Sequence, residues 1–128
     1  MTAPWWLQLL CVMLGGAGGG ALRYAVSGWI ARRVGETFPW GTLAVNASGA
    51  FAAGWLIGDV HADTVQSRLL WLCLGAGVLG SYTTVSALSL QTLLPARDGS
   101  VRRAAGYLLL SLATGLCAVF AGHWLATR

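Results

Sequence analysis

The stretch "GVLGSYTTVSALSLQ", residues 77–91, contains residues that favour a membrane helix and residues that interrupt one. It lies in a segment apolar enough to be a membrane helix, yet it contains two glycines and six hydroxyl-bearing side chains. Each glycine lowers helix stability by about 1 kcal/mol, and serine and threonine hydroxyl groups can bond backbone groups that leave a helix. The stretch therefore predicts a transmembrane helix that is broken midway through the membrane.

The composition of the whole chain places it in a membrane. Of its 128 residues, 56% are hydrophobic and 9% are charged, and the mean hydropathy is +0.66. So little polar surface does not cover a soluble globule. The charges separate four apolar segments, each close to the roughly 20 residues that a helix needs to cross the hydrocarbon core. We therefore predict an all-α membrane protein, one domain over residues 1–128, with transmembrane helices at about 5–32, 38–59, 68–95 and 102–126.

The net charge of +4 comes entirely from arginine. In a soluble protein such a charge favours nucleic acid as a partner, but in this chain it indicates contact with anionic lipid headgroups and an orientation in the bilayer. Five arginines flank the first and third links between helices, and two lie at the opposite side: Arg32, Arg33, Arg97, Arg102 and Arg103, against Arg68 and Arg128. Because positive charge accumulates on the cytoplasmic side, this bias favours both termini outside.

The first segment contains "GGAGGGALRY", residues 15–24. Its glycines loosely match a dinucleotide-binding fingerprint, but that motif must follow a strand, so we reject this interpretation. Glycines four residues apart, Gly15 with Gly19 and Gly16 with Gly20, predict close packing of helices. Arg23 follows one turn later. It either extends to the headgroups or faces an aqueous cavity, where it would attract anions.

Further polar side chains interrupt the second and fourth segments. Asn46, in "GTLAVNASGAF" (residues 41–51), either hydrogen-bonds a neighbouring helix or presents an N–H donor to a pore. Tyr107 and Ser111 are four residues apart and share a helix face. In a broken third helix, freed carbonyl oxygens become cation ligands and neighbouring hydroxyl groups become donors to anions. Broken helices near the midplane mark ion sites in transport proteins.

These motifs together resemble the Fluc (CrcB-like) family of fluoride channels. The resemblance extends over nearly the whole chain and is most specific in "GVLGSYTTVSAL" (residues 77–88), because two glycines followed by two threonines and a serine are rare in a membrane span. It implies an antiparallel, dual-topology dimer in the inner membrane of a bacterium. Through two narrow pathways this dimer would export fluoride passively from the cytoplasm and so relieve its toxicity.

The resemblance also implies roles for individual residues. Backbone carbonyls of Gly80 and Thr83 from both subunits would hold a structural Na⁺ ion at the dimer interface. Arg23 would lie in a vestibule, and Asn46 would donate a hydrogen bond to fluoride. The residues implied along the fluoride pathway are Asn46, Thr84, Val85, Ser86, Leu88, Tyr107 and Ser111.

Val85 and Leu88 depart from the family pattern, which has phenylalanine at both positions. The electropositive edge of an aromatic ring attracts an anion, and an aliphatic side chain has no such edge. Two assemblies therefore stay open: a conducting homodimer, and a heterodimer with an oppositely oriented paralogue that carries the phenylalanines. The arginine bias favours the heterodimer, since a dual-topology protein should be nearly balanced in charge.

The same residues leave two alternative functions. A small multidrug exporter shares the size, the four helices and the antiparallel dimer, but exchange of a drug cation for protons needs a carboxylate within the membrane. The first segment contains Arg23 and no acid. A non-conducting subunit of a heteromeric fluoride channel is the second alternative. We expect neither an enzyme nor a nucleic-acid partner, because the apolar segments contain no carboxylate pair, metal cluster or activated nucleophile.

Overall fold

The computed structural model describes residues 2–61 and 63–128, and every regular element in them is helical. Four helical segments follow one another along the chain. The first two are α1 (Trp5–Val34) and α2 (Trp40–Asp59). The third consists of α3 (Val65–Leu70), a π-helix (Trp71–Leu79), α4 (Gly80–Tyr82) and α5 (Val85–Arg97), and the fourth is α6 (Val101–Ala126).

Three of these segments are long and apolar enough to cross a bilayer: Trp5–Val34, Val65–Arg97 and Val101–Ala126. The chain is therefore a multi-pass membrane protein, and the all-α prediction is confirmed. With its 20 residues, α2 is about 30 Å long, the thickness of the hydrocarbon core. It is the most enclosed segment, with seven buried residues, because it packs against α1, the π-helix and α6.

Glycines bring α1 against the π-helix, as the sequence predicted for one of its two glycine pairs. A Cβ atom on Gly15 would lie 3.1 Å from the Cα of Gly77, and one on Gly19 would lie 2.9 Å from the Cα of Val78. Both glycines are buried. Since no methyl group fits at either position, the two backbones touch. In the other pair, a Cβ atom on Gly16 would lie 3.2 Å from the hydroxyl oxygen of Ser81, whereas Gly20 has no such neighbour within 4 Å.

The contact between α2 and α6 also depends on glycine, which the sequence analysis did not single out. A Cβ atom on Gly54 would lie 2.8 Å from the carbonyl carbon of Val119, and one on Gly122 would lie 3.0 Å from that of Phe51. Each helix thus offers a glycine to the backbone of the other. The two helices run parallel, since Phe38 contacts Tyr107 at one end and Gly58 approaches Ala126 at the other. This close contact holds α2 in place beside the third segment.

The third segment is irregular in two places. Nine residues, Trp71–Leu79, form a π-helix, a rare conformation that is frequent at functional sites. Further along, α4 stops at Tyr82, and the next two residues are extended: Thr83 has φ −79° and ψ 158°, and Thr84 has φ −148° and ψ 125°. Helix resumes at Val85. We call Thr83 and Thr84 the helix interruption.

We expect Gly19→Ala to lower the thermal unfolding temperature of the purified protein in detergent. The added methyl group would meet the Val78 backbone, and overpacking of this kind costs about 1–3 kcal/mol. Gly18→Ala is the matched control, since no such neighbour lies within 4 Å of it and alanine favours a helix by about 1 kcal/mol over glycine. Equal unfolding temperatures for the two variants would contradict this packing.

Candidate ion site at the helix interruption

Asn46, on α2, binds the backbone of the helix interruption at two points. Its Nδ2 donates to the carbonyl oxygen of Thr84 at 2.9 Å, and its Oδ1 accepts from the N–H of Thr84 at 2.8 Å. An unpaired backbone group within a membrane costs several kcal/mol, and this one amide pairs both the N–H and the carbonyl group of Thr84. Of the two predicted roles for Asn46, the structure shows the bond between helices. The amide nitrogen has a second N–H that is left for another acceptor.

The two threonines of the helix interruption close one helix and begin the next. The Thr83 hydroxyl donates to the Leu79 carbonyl at 2.9 Å, which completes the last turn of α4. Thr84 Oγ1 accepts from the N–H of Ala87 at 3.2 Å, as an N-cap residue does. It also lies 3.1 Å from Ser86 Oγ. The Thr84 hydroxyl thus replaces a backbone acceptor of an unbroken helix. The Thr83 hydroxyl adds a second bond to the Leu79 carbonyl, which also accepts from the Thr83 N–H at 3.1 Å.

The helix interruption frees the carbonyl groups of Gly80 and Thr83 from their usual donors. In an unbroken α-helix they would accept from the N–H groups of Thr84 and Ala87, four residues later. Those N–H groups instead donate to Asn46 Oδ1 and to Thr84 Oγ1. Freed carbonyl oxygens of broken helices coordinate Na⁺ in transport proteins. These two carbonyls therefore fit the sodium ligands that the family resemblance implies.

Two further α2 residues support the helix interruption. The Ser48 hydroxyl lies 2.9 Å from the hydroxyl of Tyr82, the last residue of α4. A Cβ atom on Gly49 would meet the Thr83 side chain and would lie 3.2 Å from Cδ1 of Tyr82. Glycine is needed there because the helix interruption approaches α2 so closely. Both residues belong to the motif at 41–51, although sequence reasoning assigned them no role.

A cavity of about 510 Å³, which we call the inner cavity, opens beside the helix interruption. Arg23 is one of the residues that line this cavity, together with Thr84 and Ser86 at the start of α5. Among the described residues that form its wall there is no carboxylate. The polar residues of the wall include Arg23, Ser27, Thr42, Thr84, Ser86 and Gln91. The inner cavity therefore offers one positive charge and several hydrogen-bond donors to an anion.

A second cavity of about 520 Å³, the outer cavity, continues toward the loop at residues 35–39. It shares Ser27, Thr42 and Gln91 with the inner cavity, so these side chains form the junction between the two. Thr42 is only 8% exposed. Sequence reasoning missed all three residues. The spacing of Thr42, four residues before Asn46 on one helix face, was the available signal.

Tyr107 reaches the junction through a single hydrogen bond. Its hydroxyl donates to Gln91 Oε1 at 3.2 Å, and its ring packs edge-on against Phe38 with centroids 5.5 Å apart. Only 3% of the Tyr107 surface is exposed. The phenol therefore orients the Gln91 amide with its oxygen toward Tyr107, which leaves the amide N–H groups for the cavities that Gln91 lines.

Of the seven predicted pathway residues, only Thr84 and Ser86 line the inner cavity. Asn46 and Tyr107 act on its lining residues through the hydrogen bonds described above, and the other three lie apart from it. Val85 is 74% exposed, and Leu88 is half-buried on α5. The hydroxyl oxygen of Ser111 is buried and has no hydrogen-bond partner within residues 2–61 and 63–128. The structure thus brings Arg23 together with the helix interruption, whereas these three side chains do not line that wall.

The sequences of known proteins match this chain over the whole of the candidate site. Residues 10–123 match the family described as CrcB-like protein, Camphor Resistance (CrcB). The chain is 44% identical to the fluoride-specific ion channel FluC of Xanthomonas axonopodis pv. citri, over 100% of both chains. It is 50% identical to FluC 2 of Rhodopseudomonas palustris over 89% of this chain and 88% of that one. It is 46% identical to FluC 1 of Rubrobacter xylanophilus over 88% and 89%. Since the family match begins within α1, ends within α6 and includes Arg23, Asn46 and the helix interruption, the chain belongs to the CrcB-like family.

Proposed function

We propose that this chain forms a fluoride channel through which the ion leaves the bacterial cytoplasm passively, across the inner membrane. The inner cavity carries this proposal, because Arg23, Thr84 and Ser86 line it together. Fluoride is small and strongly hydrated, so it crosses a narrow path only where protein donors replace its water. The names of the relatives, which are fluoride-specific ion channels, support the same function. A channel carries out no covalent chemistry, so the protein is not an enzyme.

The Thr84 and Ser86 hydroxyl groups can donate to an anion without losing their own contact. Thr84 Oγ1 already accepts from the N–H of Ala87, and the two hydroxyl oxygens lie 3.1 Å apart. One hydroxyl hydrogen is enough to bond the pair. The other hydrogen is then left for an anion in the inner cavity, and hydroxyl rotation lets either residue supply it.

The junction residues extend this path toward the arginine-rich end. The Ser27 hydroxyl donates to the Arg23 carbonyl at 2.7 Å, so its hydrogen is already used within α1. The hydroxyl of Thr42 and the amide N–H groups of Gln91 supply donors at the same place. An anion would therefore pass from the Thr84–Ser86 pair by Arg23 and Gln91 into the outer cavity.

We infer that two chains assemble antiparallel around the helix interruption. Residues 65–82 precede the helix interruption and residues 85–97 follow it, so it falls near the middle of the third segment and hence near the bilayer midplane. Gly80 is exposed on the single chain, where a second chain can reach its carbonyl. Carbonyls of Gly80 and Thr83 from both chains would hold Na⁺, whose positive charge would offset the freed carbonyl dipoles.

A heteromeric channel is the second candidate, and the aliphatic Val85 favours it. This side chain is 74% exposed on the single chain, at a position that in an assembly faces either lipid or a partner. Numbered names among the relatives, FluC 1 and FluC 2, fit the presence of paralogues. In such an assembly this chain would supply Arg23 and the helix interruption, and the partner would supply aromatic rings.

Ion release from vesicles tests both candidates. The purified chain is reconstituted alone into vesicles that contain potassium fluoride or potassium chloride, and a potassium ionophore starts the flux. We expect release of fluoride and retention of chloride. No release from the chain alone, but release from Val85→Phe/Leu88→Phe, would assign conduction to a heteromer. Proton-driven movement of a drug cation would support the exporter instead.

A further inference from the structure

We propose that Arg32 and Glu36 set the electrostatic potential at the mouth of the outer cavity, where Arg32 attracts anions and Glu36 opposes it. This inference rests on the proposed fluoride channel. It adds two residues, on the C-terminal turn of α1 and the loop after it, to a path that otherwise begins at the junction. The arrangement would determine how often fluoride enters from this end.

The position of the Arg32 guanidinium is the first support. The outer cavity is lined along α1 by Gly28 and Ala31. One guanidinium nitrogen of Arg32, Nη1, lies 3.3 Å from the place that a Cβ atom on Gly28 would occupy. The side chain is therefore folded back along α1, toward the residue that forms the cavity wall. Arg32 itself is exposed and is not among the residues that line the outer cavity, so its charge acts on the mouth from the adjoining surface of α1.

Glu36 is the second support, because it lines the outer cavity itself and is exposed. Among the described residues that form the walls of the two cavities, Glu36 carries the only carboxylate. An anion that approaches from this end passes a negative charge before it reaches Arg23. The two mouth residues thus have opposite and separable effects on the same ion.

The next residue along α1 provides an internal comparison. The guanidinium of Arg33 lies over the ring of Trp29, 5.2 Å from its centroid. Trp29 is 54% exposed and takes no part in lining the outer cavity. Successive helix residues point about 100° apart, which is why two adjacent arginines face different surroundings. Removal of the Arg33 charge changes the net charge of the protein as much as removal of the Arg32 charge does.

Charges at the mouth of a cleft act strongly on entry because low-dielectric walls focus their field. Other charged residues lie at the same end of the bundle, and all of them are exposed: Arg97, Asp98, Arg102 and Arg103. Their charges add to the electrostatic potential at the mouth, and salt screens them in the same way. The Debye length falls from about 30 Å at 0.01 M to about 3 Å at 1 M ionic strength. An electrostatic effect of Arg32 must therefore fade as salt is raised.

The test is the initial rate of fluoride release from vesicles at low fluoride, at ionic strengths of about 0.01 M and about 1 M. Arg32→Gln should lower the rate about threefold at low ionic strength and leave it close to the wild-type rate at high ionic strength. Glu36→Gln should raise the rate at low ionic strength. Arg33→Gln should match the wild type under both conditions.

Two results would overturn the inference while leaving the channel intact. One is a rate of fluoride release from Arg32→Gln that is lowered equally at both ionic strengths, or that is not lowered at either. The other is an equal loss for Arg33→Gln, which would assign the effect to general surface charge. If Arg32→Gln does not fold, Glu36→Gln alone tests the inference. Its rate of fluoride release at low ionic strength should exceed that of the wild type, and a rate that is not higher would contradict the inference. Absence of fluoride release from the wild type would instead remove the proposed function, and this inference with it.

Discussion

Replacement of Asn46 by alanine is expected to abolish fluoride release and to destabilise the protein. The amide satisfies both the N–H and the carbonyl group of Thr84, and alanine would leave both unpaired in the protein interior. A buried polar group that loses its partner costs about 1–3 kcal/mol. Without this clamp, Thr84 would turn back into a helix and its hydroxyl would leave the inner cavity. Fluoride release and thermal unfolding of the same preparation measure the two effects.

Two variants control for this change. Asn46→Asp keeps an acceptor for the Thr84 N–H but places a negative charge beside the path, so we expect a folded protein without fluoride release. Ser48→Ala, on the same helix, removes a hydroxyl contact with Tyr82 and should cost about 1 kcal/mol with most release retained. An Asn46→Ala protein that releases fluoride at the wild-type rate would show that the helix interruption does not depend on this amide.

Thr84→Val is expected to reduce fluoride release at least about tenfold while the protein stays folded. Valine has nearly the same shape and tolerates extended backbone, but it removes the hydroxyl group that faces Ser86 and caps α5. Loss of an N-cap costs about 1 kcal/mol, a small fraction of the stability of a folded domain. The large effect should therefore appear in the rate of release and only a small one in the unfolding temperature.

Thr84→Ser retains the hydroxyl group and should restore most of the release. Thr92→Val is a second comparison, because the Thr92 hydroxyl donates to the Leu88 carbonyl within α5 at 2.7 Å and takes no part in the inner-cavity wall. We expect nearly wild-type release from this variant. Equal rates for Thr84→Val and Thr84→Ser would contradict a role for the hydroxyl group.

The apolar helices could be predicted from the sequence almost to their ends. The first was expected at about 5–32 and extends over Trp5–Val34, and the last was expected at about 102–126 and extends over Val101–Ala126. Charged residues at the ends of apolar segments define such boundaries well. The π-helix was not predicted. Apolar composition and glycine content do not distinguish the hydrogen bonds of a π-helix from those of an α-helix.

The candidate site was predictable where a polar residue stands out in an apolar segment, as Arg23 and Asn46 do. The partners of these residues were not predictable. Asn46 binds Thr84, which is 38 residues away, and no spacing rule connects the two. Gln91 was missed for a related reason, because only the hydrogen bond from Tyr107, on another helix, gives its amide a defined direction.

The central claim is that fluoride binds at the helix interruption, beside the hydroxyl groups of Thr84 and Ser86. Solid-state ¹⁹F NMR of the protein in bilayers tests it directly, with threonine ¹³C-labelled in the wild type and in Thr84→Val. The account predicts a bound fluoride signal that is dephased by the threonine carbons and is lost, or is no longer dephased, in Thr84→Val. A bound signal with the same shift and the same dephasing in both proteins would contradict it.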